Sequence, residues 1–282
     1  DHLKVTGASS TMTAGTTNEL TVTAHDAFGN TATSYTGAKN LTFSGLATSL
    51  DNFIPIVEGT NFGSATSVTF TSGVSNSNAA TLTAYKAETA SVDVTDGTIN
   101  SSFDATHDLD LTVNAAAADH LKVTGASSTM TAGTTNELTV TAHDAFGNTA
   151  TSYTGAKNLT FSGLANSPNG DVPTVEGFNF NTPTSVTFTS GVSNTNAATL
   201  IAYKAETASV DVTDGTINSS FDATHDLDLT VNAAAADHLK VTGASSTMTA
   251  GTTNELTITA HDAFGNTATS YTGAKNLSFS GL

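Results

Sequence analysis

The sequence predicts an all-β chain of tandem β-sandwich domains arranged head to tail. Three observations carry that expectation. The segment Asp-His-Leu-Lys-Val-Thr-Gly begins at Asp1, Asp119 and Asp237, so the chain repeats with a period of 118 residues. A period that long is a whole domain, because solenoid turns recur every ~20–50 residues. Within each period, apolar residues alternate with Thr, Ser and Asn in short runs, as in strands with one buried face. Gly7, Gly15, Gly29, Gly37, Gly45, Gly73 and Gly97 break the first copy between those runs, and no helical periodicity joins them. The expected domains are residues 1–118, residues 119–236, and residues 237–282 as the N-terminal part of a third copy.

In chain order, the first strand is expected at residues 2–6 with Leu3 and Val5 inward, and a short piece at 11–14 buries Met12. The organising stretch follows: Glu19-Leu-Thr-Val-Thr-Ala-His-Asp-Ala-Phe-Gly-Asn30. It recurs at 137–148 and, with Ile258 replacing a valine, at 255–266. Leu20, Val22 and Ala24 alternate there with Thr21, Thr23 and His25, which gives a strand over 18–25. Asp26-Ala-Phe-Gly-Asn30 then supplies turn residues, and the β-prone run 31–35 is expected as a partner strand. Further strands are expected at 39–44 (Leu41 and Phe43 inward), 66–71 (Val68, Phe70), 80–86 (Leu82, Ala84), 91–95 (Val92, Val94) and 108–113 (Leu109, Leu111, Val113).

The turn-rich connection over 45–65 is where the copies differ. Ala47-Thr-Ser-Leu-Asp-Asn-Phe-Ile-Pro55 becomes Ala165-Asn-Ser-Pro-Asn-Gly-Asp-Val-Pro173 in the second copy. Such tolerance is expected of an exposed loop. The junction Thr112-Val-Asn-Ala-Ala-Ala-Ala-Asp-His120 contains neither Gly nor Pro. It is therefore no flexible linker, and it predicts a fairly stiff rod.

Composition narrows the function classes. Hydrophobic residues make up 38% of the chain and aromatics 7%, enough for modest cores only because they fall at alternating positions. The formal charge is -17 with 12% charged residues, and the cations are eight lysines without a single arginine. A nucleic-acid partner needs a basic footprint and is excluded, and anchoring on anionic lipid is disfavoured for the same reason. An acidic Thr/Ser-rich surface suits a protein that must stay soluble while repeating itself. There is no cysteine, so disulfides, thiol chemistry and Cys-type zinc sites are out. No apolar run is long enough to insert in a membrane as a helix. The sequence opens directly on a repeat, without a signal peptide, as expected of an excerpt from a longer secreted chain.

The unit resembles a bacterial immunoglobulin-like repeat of the invasin/intimin type found in large surface proteins. The resemblance is carried by the Asp26-Ala-Phe-Gly-Asn30 turn, the Leu41-Thr-Phe43 strand, the Gly73 turn before Thr81-Leu-Thr-Ala-Tyr-Lys86, and the closing Leu109-Asp-Leu-Thr-Val113. It covers both full copies and the third. It implies tandem immunoglobulin-like β-sandwiches, an extracellular or cell-surface location and a non-enzymatic role, and it brings no catalytic residue.

The residues themselves offer little reactive chemistry. His25 beside Asp26 belongs to a turn on the outer side of a strand, which is far more often structural than part of a hydrolase triad. No phosphate loop, His-Glu-x-x-His motif or nucleophile elbow is present, so no catalytic, cofactor or metal residue is assigned. Calcium is the one ligand to weigh, since Asp93, Asp96, Asp104, Asp108 and Asp110 crowd the end of the repeat with Asp119 across the junction. Their spacing matches neither an EF-hand nor a Gly-Gly-x-Gly-x-Asp repeat, and Asp108 and Asp110 fit the solvent side of an alternating strand, so solvated carboxylates are favoured. Lys4, Lys39 and Lys86 are the amines that a Lys–Asn isopeptide bond would need, and Asn40-Leu-Thr42 and Asn100-Ser-Ser102 match the glycosylation sequon.

Three roles follow. The first is a stalk whose length scales with copy number. The second is a self-assembling filament: a third copy stopping at Leu282 leaves Leu256, Ile258, Leu277 and Phe279 without an opposing sheet, so either the real chain continues or strands from a neighbouring copy complete it. The third, ranked last, is an adhesin binding a host or glycan ligand through the variable loops 48–65 and 166–183, where Phe53, Phe62, Phe178 and Phe180 are the possible anchors.

Overall fold

The computed structural model describes residues 1–220 and 222–281. All of its regular elements are strands. In the first copy these are β1 (His2–Gly7), β2 (Thr11–Thr13), β3 (Thr17–His25), β4 (Gly37–Ser44), β5 (Ile56–Val57), β6 (Thr60–Asn61), β7 (Ala65–Thr71), β8 (Val74–Ser75), β9 (Thr81–Thr83), β10 (Glu88–Thr95) and β11 (Leu109–Asn114). They hydrogen-bond in the order β2-β11-β10-β4-β7-β8-β3-β9-β5-β6, with β1 on the other side of β3.

Two long strands make this path fold over on itself. Strand β3 pairs through Thr17–Glu19 with β9 and through Leu20–His25 with β1. Strand β10 pairs through its first half with β11 (Glu88 opposite Val113) and through its end with β4 (Asp93 opposite Ser44). Strands that change partners along their length carry the chain from one face of a sandwich to the other. The parallel pairing of β2 with β11 (Met12 opposite Val113) closes one edge.

Every side chain assigned inward from the alternation lies in the core. Leu3, Val5, Met12, Leu20, Val22, Ala24, Leu41, Phe43, Val68, Phe70, Leu82, Ala84, Val92, Val94, Leu109, Leu111 and Val113 are all buried in one cluster. Burial of a Leu, Val or Phe side chain stabilises by roughly 1.5–3 kcal/mol, and this cluster is what the alternating pattern encodes.

Three strand expectations are corrected. Residues 31–35 form no strand; only a bridge joins His25 to Thr31. Ala32 N–H returns to the carbonyl of Ala24 (2.8 Å), and Tyr35 N–H closes a turn on Ala32, placing the Tyr35 ring edge-on to Phe70 at 4.9 Å. The 80–86 run is a strand only at Thr81–Thr83, because the backbone beyond it is engaged elsewhere, as described below. The supposedly irregular 45–65 connection contains the hairpin β5–β6, whose turn residues Glu58 and Gly59 both have positive φ (50° and 73°). That geometry matches the twist of a two-residue hairpin.

The second copy repeats the series as β12 to β22, from His120–Gly125 to Leu227–Asn232, in the same order. The third contributes β23 (His238–Gly243) paired with β24 (Leu256–His261), Val241 opposite Ile258. The chain divides into two compact units. Unit 1 is Asp1–Asp119 with Ala142–Tyr153, and unit 2 is His120–Thr141 with Thr154–Leu282.

Leu277-Ser-Phe279, the third copy's equivalent of the strand expected at 39–44, forms no strand. In unit 1 its counterpart β4 is held between β7 and β10. Among the described residues, 273–280 pair with no strand.

Candidate interaction site

Unit 1 takes in Asp144-Ala-Phe-Gly-Asn148, the organising turn of the second sequence copy. The turn first organises itself. Asp144 Oδ1 accepts the amides of Phe146 and Asn148 (both 2.9 Å), and the His143 ring lies 3.0 Å from the Gly147 carbonyl. An Asp that folds its own following amides into a loop is the reason this residue starts the turn.

The turn is then fixed to the rest of the unit by bonds that read backbone. Asn148 Nδ2 donates to the Tyr85 carbonyl (2.7 Å), and Asn148 Oδ1 accepts the Ala87 amide (2.7 Å). Asp144 Oδ2 accepts the Ala116 amide (2.8 Å). Past Thr83 the Ala84 carbonyl accepts the Gly15 amide (2.8 Å) and the Tyr85 carbonyl accepts Asn148, so the 80–86 run is a strand only at its start. Asp144 and Asn148 are 0% and 5% exposed, so each of their polar atoms depends on those partners.

Between these anchors sits the Phe146 ring. It meets Tyr85 at 5.1 Å and Phe53 edge-on at 5.3 Å between centroids. Beneath it lies Gly15 (φ +78°), where a Cβ would stand 2.4 Å from the ring's Cζ. The ring thus needs a residue with no side chain under it.

Unit 2 repeats the arrangement. Asn266 Nδ2 donates to the Tyr203 carbonyl (2.7 Å), Asn266 Oδ1 accepts the Ala205 amide (2.8 Å), and Asp262 Oδ2 accepts the Ala234 amide (2.9 Å). Phe264 lies against Tyr203 at 5.1 Å and over Gly133. Although burial opposes the Asp262 charge, the bonds from Asn266 and Ala234 outweigh it and hold the carboxyl below its ordinary range. Asn169, at the place of Asp51, adds a bond from its amide side chain to the Ala263 carbonyl (3.0 Å).

In the first copy the same turn is formed but bare. Asp26 Oδ1 accepts the Phe28 and Asn30 amides (2.9 Å each), while Phe28 is 90% exposed. Bonding from Asn30 lowers the Asp26 pKa.

The acidic residues do not converge. Asp96 accepts the Tyr35 hydroxyl (2.8 Å) and caps the 96–99 turn; burial and this bond together push the Tyr35 pKa up. Asp104 accepts the Thr106 amide, and Asp110 accepts the Ser91 hydroxyl (2.6 Å). Asp108 lies beside Asp93, and burial first, then Asp93 and Asp110, raises its pKa. Asp119 donates its amide to the His143 carbonyl (2.7 Å). Among the described residues no group of three or more His, Asp or Glu is arranged to hold a metal. An open depression of about 230 Å³ beside Asp93, lined by Ser44, Thr95, Asn100 and Ser102, has no convergent charged set.

Of the other singled-out residues, His25 Nδ1 faces the Gly29 carbonyl (3.0 Å) as part of the turn. Lys39 lies 4.6 Å above the Tyr35 ring, and Lys86 pairs with Glu88 at 3.3 Å. Asn40 and Asn100 are exposed. The loop phenylalanines divide. Phe62 and Phe180 are not loop anchors but pack toward Phe43 and Phe161 (6.2 and 6.4 Å), while Phe53 lies against Phe146 and Phe178 is 56% exposed.

No family model and no curated protein matches the chain. Among solved structures it is similar to FdeC, an Escherichia coli adhesin, at 24% identity over 95% of this chain and 76% of that one, with a TM-score of 0.41. It is also similar to the Yersinia pseudotuberculosis adhesin InvE at 19% identity, 82% and 58% coverage and a TM-score of 0.33. A third is invasin, described as a bacterial integrin-binding protein, at 16% identity, 97% and 49% coverage and a TM-score of 0.36. The chain thus spans about half of the solved invasin. Two of these three neighbours are adhesins by name, and the third is a bacterial integrin-binding protein.

Proposed function

We propose that the chain is a non-enzymatic structural segment of a bacterial extracellular or cell-surface protein, a stiff stalk of tandem immunoglobulin-like repeats 1–118, 119–236 and 237–282. The observation that carries this reading is the seated turn: Asn148 and Asn266 bond the same pair of backbone groups in two successive settings. Part-buried hydrogen bonds and a wedged ring that tie a turn of the following sequence copy into each unit support stiffness over free swinging, and the Ala-rich connections add little slack. Reach is then set by copy number, with ligand binding left to other modules. Negative-stain images of the isolated protein should show single beaded threads. Threads of Asn148→Ala/Asn266→Ala should bend more. Compact particles without beads would sink the stalk.

A second reading is favoured by one observation. Leu239, Val241 and Leu256 are 40%, 53% and 46% exposed, whereas their counterparts Leu3, Val5 and Leu20 are 0%, 0% and 1% exposed. The face of β23–β24 is therefore one that this sequence elsewhere covers with β4, β7, β10 and β11, strands that a continuing chain or a neighbouring one can supply. A neighbouring chain supplying those strands would give a filament by strand addition. The same images separate the two, since thick periodic fibres in place of threads indicate strand sharing.

A further inference from the structure

The bare 26–30 turn is chemically complete yet unseated. Its residues match those at 144–148 and 262–266 letter for letter, and its internal Asp26 bonds match theirs in length. What differs is cover: Asn30 and Phe28 are exposed, whereas Asn148 and Asn266 are each 5% exposed. We propose that the 26–30 turn is a docking plug for the C-terminal end of another copy of this same repeat. The inference deepens the stalk reading and rests on it for the order in which repeats are joined.

The chemistry of the partner can be read from the two filled seats. It must present a carbonyl and, two residues on, an amide for one Asn side chain, as Tyr85 and Ala87 do. It must offer a further amide for Asp26 Oδ2, which already accepts the Asn30 side chain (3.1 Å), as Ala116 does for Asp144 Oδ2. It must also place an aromatic wall beside a residue without a side chain, as Tyr85 and Gly15 do around Phe146. A generic apolar groove supplies none of the first three. The end of this repeat supplies all of them, and the docking geometry is already realised twice in the chain.

The test keeps the whole chain and adds one copy of residues 119–236 ahead of Asp1, so that the new junction reads like 114–120. The protein has no cysteine, so a single Phe28→Cys is a clean reporter of burial. In the original chain this thiol should label with a maleimide at the rate of an exposed cysteine. In the extended chain labelling should slow at least about tenfold, to the rate of Phe146→Cys in the original chain. In parallel, Phe28→Ser should leave the melting temperature of the original chain unchanged and lower that of the extended chain. Equal labelling rates in both chains, or a neutral Phe28→Ser in the extended chain, would overturn the docking. Threads that stay beaded and straight while the thiol stays reactive reject the plug alone; threads that collapse into compact particles reject the stalk.

Discussion

Asn148 carries more of the site than any other single residue, because it answers two backbone groups and its own turn at once. Replacing it with alanine strands the half-buried Tyr85 carbonyl and Ala87 amide, at a cost of about 1–3 kcal/mol. Asn30→Ala removes only exposed bonds within its turn and should change stability by less than about 0.5 kcal/mol. Chemical denaturation of the two variants checks the contrast, and equal effects would deny the seat its energetic role. Glycine gives a second comparison. Gly15→Ala meets both a left-handed backbone and the Phe146 ring, whereas Gly251→Ala meets only the backbone strain (φ +87°) in open space. The first should cost about 2 kcal/mol and the second about 1 kcal/mol, read from melting curves.

At the scale of elements, the strands were legible wherever burial decided them. The alternation through Leu20, Val22 and Ala24 placed β3, and the same logic located β1, β4, β7, β10 and β11 within a few residues. It failed where a local bond outranks composition. Residues 31–35 are β-prone, but the turn set by Asp26 sends Ala32 back to Ala24 and frees Tyr35 to pack on Phe70. The seat was half legible. Threefold repetition marked the Asp-Ala-Phe-Gly-Asn turn as important, yet its partners Tyr85 and Ala87 lie some sixty residues earlier, in a run whose own pattern promised a strand. A periodic pattern reports which face is buried and is silent on which backbone groups a distant side chain will claim.

The strand ends also gather histidines. His2 on β1 stacks on His107 at 4.2 Å and on His25 of β3 at 5.2 Å. Burial first, then the nearby His107, His25 and amino terminus, hold the His2 pKa below 6.5, with Asp26 opposing weakly. A base whose folded pKa is depressed is bound to fewer protons when folded, so its contribution is present above 6.5 and declines as pH falls through that value. Melting temperature should therefore drop between about pH 7 and pH 5, before the turn carboxylates titrate, and His2→Asn should flatten that limb. A limb of unchanged slope in the variant would remove His2 from the account.

For the whole molecule, charge and the open sheet face work against each other. The apolar face of β23–β24 and its unpaired edges invite association, which proteins restrain by charge on the edge or across the surface. Here the restraint is the overall charge of -17, spread over a chain whose isoelectric point is near 4.4. Repulsion of that kind is screened by salt and vanishes as carboxylates protonate. Light scattering should accordingly rise as salt is added at neutral pH, and more steeply as pH approaches 4.4. If the rise comes from strand addition on this face, Val241→Lys, which sets a charge at a position 53% exposed, should suppress it while leaving unit 1 unaltered. If Val241→Lys associates as the parent does, the contact lies elsewhere and strand sharing through the third copy is excluded, leaving the seated turns as the homotypic contact to pursue.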